Sequence, residues 1–484
     1  MLSGSLWRQN LAKVLLLDSP SWRLFNPTMH LHLGILYLAG SLRRAGHDVK
    51  VLDCHQVTSW DGENLILHKE KMEECDVLGI SATTANVNWG IEMAKPWPAK
   101  VKVLGGTHVT HIMEGTHEKF KQKKYFEGFD YVMYGECEDS FVKFCDLLDV
   151  YNFNITNVRA LIPGLVWWDA LGRHQMAKPK DPEVTKLAKP AFDLWQSGFS
   201  KGALSSSSAR GKAYDANNLM AASLYTARGC PYGCTFCADA RSKLREETLE
   251  QIESQVKELA SYGVQAIRLQ DDTFTIKADR CKQIANILDK YGMHWRACTR
   301  VNLKDRQLFD YMAARGCTEL AFGVEHGSAR MLKIMNKGTT PEANEIGIKM
   351  CQDAGMIAKA FLMIGFPGET EESIDELEEW VLRVRPSAVT MSLFQPFPGS
   401  DVWNHPEKYD VSIPDNAFSR FWQLGGDTDQ STLVLSLPTI SKERLFWHRQ
   451  RLIKVFEEQI GSLDRMNVHG NSGTYGPSTV EECV

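Results

Sequence analysis

Two stretches of this chain alternate short apolar runs with amphipathic segments, and that double alternation constrains the fold more than any other feature. In the first, Val14-Leu15-Leu16-Leu17 precedes a helical pattern from Gly34 to Ala45 that ends at Gly46. Further apolar runs follow at Val49 to Leu52, Val77 to Ile80, Val101 to Leu104 and Tyr131 to Met133. In the second, strand candidates are Ser223 to Thr226, Ala266 to Leu269, Trp295 to Cys298, Glu319 to Val324, Ala358 to Ile364 and Ala388 to Phe394. Helical patterns between them include Glu246 to Ser261, Asp279 to Lys290, Asp305 to Ala314 and Glu372 to Arg383. Strands separated by helices predict βαβ units and parallel sheets. The expectation is therefore α/β throughout: a doubly wound domain over residues 1–150 and a partial (β/α)6 barrel over 221–412. In both, ligands belong at the carboxyl ends of the strands.

A chain of 484 residues exceeds one ordinary core, which agrees with two main domains. Residues 151–220, with Lys178-Pro179-Lys180-Asp181-Pro182 and the Ser205 to Ser208 run, read as a partly flexible connection. Residues 413–462 read as a mostly helical extension, with an amphipathic helix near Ser441 to Ile460, and 463–484 as a disordered tail. Lys plus Arg number 55 against 60 Asp plus Glu, a net charge of -5, so a nucleic-acid partner is not expected. No uncharged apolar run reaches the length of about 18 residues that a membrane helix needs. The first residues lack the apolar stretch of a signal peptide. A cytoplasmic location is the expectation.

In that compartment cysteines serve as thiols or metal ligands rather than as disulfides. Nine of the twelve, Cys54, Cys75, Cys137, Cys145, Cys281, Cys298, Cys317, Cys351 and Cys483, stand singly and read as small buried hydrophobes. The other three form Cys230-Pro231-Tyr232-Gly233-Cys234-Thr235-Phe236-Cys237, directly after the first strand of the second block. Cys-x3-Cys-x2-Cys thiolates can ligate three irons of a [4Fe–4S] cubane and leave the fourth iron open to an outside bidentate ligand. The alternatives are zinc and chance clustering. Zinc would want a second pair at its own spacing, which Cys281 and Cys298 do not supply.

The motif, with aromatic Phe236 before the last cysteine, resembles the radical S-adenosylmethionine superfamily. The resemblance runs over roughly residues 221–400. Gln270-Asp271-Asp272-Thr273-Phe274 ends the second strand and Thr299-Arg300-Val301-Asn302 the third. Gly323-Val324-Glu325-His326-Gly327-Ser328 resembles the family's Gly-x-Glu-Ser-Gly segment, with His326 in place of serine. Met335 to Gly338, Gly365 to Thr370 and Pro396 to Ser400 also resemble the family. The resemblance implies that Asp271 or Asp272 accepts from the ammonium group of S-adenosylmethionine. It assigns Arg300 to the carboxylate or a ribose hydroxyl, and Glu325 to the ribose or amine.

The first block lacks Gly-x-Gly-x-x-Gly after its first strand, where Asp18-Ser19-Pro20-Ser21-Trp22 stands instead, so a nicotinamide site is disfavoured. It resembles the Rossmann-like cobalamin-binding domain that precedes the barrel in one class of these enzymes. The matching pieces are His32 to Ala39, Gly79 to Thr84, Leu104-Gly105-Gly106-Thr107-His108 and Asp130 to Glu138. By this resemblance Ser81, Thr83, Thr84, Gly105, Gly106, Thr107 and Gly135 border the cofactor, the small residues allowing its nucleotide tail to pass between strand and helix. Asp53-Cys54-His55 only superficially fits the Asp-x-His-x-x-Gly cobalt-ligand motif. It follows the second strand, and Thr58 stands where the glycine belongs. The lower ligand of cobalt is left undetermined.

The resemblance implies a cobalamin-dependent radical S-adenosylmethionine enzyme that generates a 5′-deoxyadenosyl radical and methylates an unactivated carbon or a phosphorus. The substrate, a small molecule or peptide, is expected between the domains, and the electron donor to be a flavodoxin or ferredoxin. Non-methylating cyclisation, ring contraction or rearrangement is the alternative in the same architecture. A cluster-bearing cobalamin sensor is the alternative outside enzymology. Val411 to Leu437, with Phe418, Phe421 and Trp422, either lines the cavity or packs ordinarily. Cys298 and His326 fall near the expected barrel mouth without an assigned role.

Overall fold

The computed structural model describes residues 11–20, 33–61, 64–198, 200–201, 219–301, 305–414, 418 and 434–460. Asn302, Phe421, Trp422, the Ser205 to Ser208 run and the 463–484 tail lie outside the described residues. The chain divides into two compact units, one reaching Trp195 and one beginning at Gln196.

The first unit contains β1 (Lys13–Asp18), α1 (Leu33–Ala45), β2 (Asp48–Leu52), a hairpin of β3 (Thr58–Trp60) and β4 (Leu65–Leu67), β5 (Cys75–Ser81), α2 (Val87–Ala94), β6 (Ala99–Gly105), α3 (Thr107–Glu114), β7 (Tyr131–Met133), α4 (Glu138–Val150), β8 (Leu165–Trp168) and β9 (His174–Met176). Its sheet order is β2-β1-β5-β6-β7-β8-β9, parallel as far as β7. Val14, Leu16, Val77, Val103 and Met133 from the strands share one core with Ile35, Ala39 and Leu42 of α1 and Phe141, Phe144 and Leu148 of α4. The parallel strands are apolar on both faces because helices cover both.

Part of the expected connection is sheet. β8 and β9 extend the sheet by antiparallel pairing, with Val132 opposite Val166 and Val166 opposite Met176. Strands of four and three residues are too short to stand out by periodicity.

The second unit holds β10 (Ser200–Lys201), β11 (Met220–Leu224), β12 (Ala227–Arg228), β13 (Arg245–Glu246), α5 (Leu249–Ser261), β14 (Ala266–Leu269), α6 (Ala278–Lys290), β15 (His294–Thr299), α7 (Arg306–Ala313), β16 (Cys317–Glu325), α8 (Ala329–Ile334), α9 (Pro341–Asp353), β17 (Ile357–Ile364), α10 (Glu371–Val384), β18 (Ala388–Leu393), α11 (Asp401–Asn404) and α12 (Lys442–Ile460). The sheet runs β10-β11-β14-β15-β16-β17-β18, and β11 through β18 are mutually parallel. This is the expected partial barrel.

Helix starts follow local chemistry. Thr248 with Gln251 and Thr370 with Ser373 form capping boxes, and Thr340 caps α9 with Pro341 in its first turn. α12 docks on α10 through Arg444 and His448, both on Glu371, and through Arg451 on Asp375 and Glu378. Arg444 and His448 hold the Glu371 carboxyl down to about 2. No described helix is long and apolar enough to cross a membrane.

Candidate functional site

β11 ends at Leu224, earlier than its apolar pattern suggested, because Thr226 turns inward to Asp271. The chain then pairs Ala227–Arg228 with Arg245–Glu246 and makes the cysteine loop between these two arms. Gly229 has φ +92°, a conformation that L side chains rarely adopt, and a β-carbon there would collide with the Lys243 carbonyl. Backbone bonds pin each part of the loop. The Cys230 amide donates to Ser242 Oγ (2.8 Å), Arg241 N to Tyr232 O (2.8 Å), Thr235 N to Met335 O (3.0 Å) and Cys237 N to Cys234 O (3.2 Å). Asn336 donates from Nδ2 to Gly233 O at 2.6 Å.

Cys234 is buried, and Cys230 and Cys237 keep partial solvent access. Burial pushes the Cys237 thiol up to about 12, with smaller contributions from Asp239, Cys234 and Cys230. The donor set is three thiols on one rigid loop at a strand end, which fits a three-cysteine cluster.

The barrel residues singled out in the sequence divide into different roles. Asp271 is consumed internally: it accepts from Thr226 N (2.7 Å) and, through a short bond, from the Thr226 hydroxyl. Asp272 accepts from the Gly229 amide, and burial, with Asp239, raises its carboxyl to about 6. Its side chain still meets solvent. Of the two aspartates, Asp272 alone is free to face a ligand's ammonium group. Glu325 ends β16 at φ +66°, past a bulge, and its Oε1 pairs with Lys337 Nζ at 2.7 Å. That ammonium also stands 5.5 Å over the Phe236 ring.

Arg300, expected at the cosubstrate, is directed at the cysteine loop. Its Nη1 donates to Cys234 Sγ at 3.0 Å, its Nη2 to the Lys337 carbonyl, and its guanidinium lies 4.1 Å from the Tyr232 ring centroid. His326 is fully enclosed against Glu369, away from any open mouth. Cys298 keeps partial access, and burial raises its thiol. Phe418 stacks on Trp403 at 5.9 Å between ring centroids, which is packing. The Met335 to Gly338 turn was visible as a motif, but its work of holding the cysteine loop and Arg300 depends on contacts distant in sequence.

In the first unit the switch point lies between β1 and β5, whose neighbours run outward in opposite directions. Ser19 N donates to Ser81 O (2.8 Å), Ser19 Oγ to Asn86 O (2.6 Å) and Asn86 Nδ2 to Ser19 O (2.8 Å), clamping the two strand ends together. This clamp was not read from the sequence, where Ser19 and Asn86 are unremarkable polar residues.

Thr83 and Thr107 are exposed at the rim and Ser81 is half-buried. A β-carbon at Gly105 would meet nothing closer than Met133 O at 3.7 Å, which leaves room for a ligand. Gly106 serves the protein itself: at φ +99°, its β-carbon would lie 2.5 Å from Ala82 O. Thr84 turns inward to buried His108 (3.1 Å), whose imidazole burial holds down to about 3. The Gly135 amide donates to Thr110 Oγ1 at 3.0 Å. Asp53, Cys54 and His55 have polar atoms within 4.8 Å of one another, but they form a local turn in which Asp53 accepts from the His55 amide (2.9 Å) and faces His55 Nδ1 (2.7 Å).

Residues 224–381 match the model of the radical SAM superfamily, and residues 27–144 that of the B12 binding domain. The chain belongs to the cobalamin-dependent radical S-adenosylmethionine enzymes. Among relatives of this radical enzyme is an uncharacterised methyltransferase of Pyrococcus horikoshii, 28% identical over 77% of this chain and 78% of the relative. The cytidylyl-2-hydroxyethylphosphonate methyltransferase of Streptomyces wedmorensis is 27% identical over 76% of each. The fold is that of the radical S-adenosylmethionine methyltransferase TsrM from Kitasatospora setae, a structure with cobalamin and a [4Fe–4S] cluster bound. The TM-score is 0.61 at 18% identity, covering 81% of this chain and 74% of that one.

Proposed function

We propose that this enzyme is a methyltransferase acting on an unactivated carbon or a phosphorus centre of a small molecule or peptide. The main support is the rigid three-cysteine loop at the end of β11, in a chain that also carries a B12-type domain. The named activities of two relatives, both methyltransferases, point the same way.

Cys230, Cys234 and Cys237 would hold the cluster. Asp272 would orient the ammonium group of S-adenosylmethionine, and Glu325, with Lys337, would border its ribose. Ser81, Thr83, Gly105 and Thr107 would border the cobalamin tail. When bound, the cluster and cobalamin supply reductive cleavage of S-adenosylmethionine and methyl-group carriage. The chain's own task is orientation and exclusion of water, because a primary carbon radical attacks whatever lies nearby. A low-potential donor of the flavodoxin or ferredoxin kind would deliver electrons.

An anaerobic preparation with iron, sulfide and corrinoid quantified tests the reading. Full iron loading with bound corrinoid, and formation of 5′-deoxyadenosine and S-adenosylhomocysteine, is expected. Zinc with neither cofactor would overturn it. Once a substrate is found, a product heavier by one methylene marks methylation, and an unchanged or hydrogen-depleted mass marks the non-methylating alternative.

A further inference from the structure

The guanidinium of Arg300 is buried, with the residue only 6% exposed. A buried cation needs an anion or it is costly. Among the described residues no carboxylate lies within ion-pair distance of it. Its partners are Cys234 Sγ at 3.0 Å, the Lys337 carbonyl and the face of Tyr232. Its Nε is buried without a hydrogen-bond partner among the described residues. Tyr232 presents only its ring face and Lys337 a neutral carbonyl, so the Cys234 sulfur is the one contacting atom among these partners that can carry negative charge.

We infer that Arg300 is the resident counter-charge and hydrogen-bond donor of the iron–sulfur cluster, and that it sets the cluster's reduction potential through Cys234. The inference rests on the cluster assignment made above. A cubane with three thiolates is anionic, and reduction makes it more so. A cation donating to one of its thiolates therefore stabilises the reduced form more than the oxidised one and raises the potential.

The local structure suits this task. Arg300 follows β15, a rigid strand, and the Tyr232 ring and the Lys337 carbonyl hold the guanidinium from two sides. Lys337 in turn pairs with Glu325 at 2.7 Å, so the cation and the cysteine loop share one scaffold. Arg300 is thus a positioning residue whose influence is electronic as well as mechanical. A lysine in its place would keep the charge but not the planar fork that reaches sulfur and carbonyl together.

The test uses the full chain, reconstituted anaerobically with iron and sulfide, as wild type, Arg300→Gln and Arg300→Lys. Iron and sulfide content is measured first, then the midpoint by redox titration followed by electron paramagnetic resonance. Arg300→Gln with a full cluster is expected to be at least tenfold harder to reduce, a shift of about 59 mV downward for a one-electron couple. Arg300→Lys should shift less. A fully loaded Arg300→Gln with the wild-type midpoint overturns the inference while leaving the cluster in place.

If Arg300→Gln does not load, wild-type protein labelled with 15N-arginine decides by hyperfine spectroscopy of the reduced cluster. A 15N coupling supports the contact, and its absence overturns it. Wild type that takes up no cluster would instead sink the underlying functional reading.

Discussion

The imidazole of His326 stands 3.3 Å from the carboxyl group of Glu369, and both side chains are completely enclosed. His326 Nδ1 accepts from the Ser328 amide at 3.0 Å, while Nε2 faces Glu369 and makes no hydrogen bond among the described residues. Glu369 accepts from Gly365 N at 3.1 Å and, through a short bond, from Ser373 Oγ. Glu369 thus ties the loop after β17 to the first turn of α10, and the enclosed His326 side chain packs the loop after β16 against it. Substituting His326→Ser would shorten the side chain and leave buried Glu369 without this neighbour. The expected loss is about 2 kcal/mol, read as a lower urea midpoint with an unchanged slope. A loss below about 0.5 kcal/mol, the range of ordinary surface changes, would show that the pair does not join the loops.

Gly229 and Gly263 both have positive φ, at +92° and +83°, but only Gly229 has a neighbour in the way. Gly229→Ala should therefore displace Cys230 and leave iron below stoichiometry after reconstitution. Gly263→Ala, facing open space, should cost about 1 kcal/mol for its backbone alone and keep its iron. Equal iron in the two variants would contradict the geometry.

Gly105→Ala offers a separate test of the cobalamin site. Its new methyl group meets no protein atom closer than 3.7 Å, so the melting temperature of the apoprotein should not change. A cofactor tail filling that space would be pushed away, weakening cobalamin binding by tenfold or more, about 1.4 kcal/mol. Titration followed by corrinoid absorbance would measure it, and wild-type affinity would place the tail elsewhere.

Burial raises Asp271 to about 6, against the donors Thr226 and Ala227 that favour its ionised form. In the unfolded chain the same group titrates near about 3.9. The folded state thus keeps the proton longer, and the stability it contributes falls as pH climbs from about 4 to about 6. Asp271→Asn keeps the acceptor for Thr226 and removes the titration. Between pH 5 and 7.5 wild type should lose about 1 kcal/mol more than the variant in urea unfolding. Parallel pH profiles would count against a raised carboxyl.

Most of the strand order was legible because parallel strands covered on both sides are continuous apolar runs, as at Leu15 to Leu17 and Ala358 to Ile364. β8 and β9 were not, since short strands paired antiparallel at a sheet edge leave little periodic signal. The cysteine triad was legible because its ligands are close in sequence. The division of labour around it was not. Asp271 and Asp272 are adjacent and chemically identical, yet one is spent on Thr226 and the other stays open to solvent. Gly105 and Gly106 differ likewise: one leaves space, and the other lets its own strand end approach.

The sequence by itself determined the two α/β patterns, the cysteine loop and the strand-end position of each polar motif. These depend on spacing and periodicity, which are local. Only the tertiary structure decided where the charges point, because hydrogen bonds and ion pairs join residues that are neighbours in space alone. Cys234 and Arg300 are separated by 66 residues, and their 3.0 Å contact exists only because β11 and β15 end on the same rim. The cysteine triad thus announces a cluster, and the fold supplies the charge beside it.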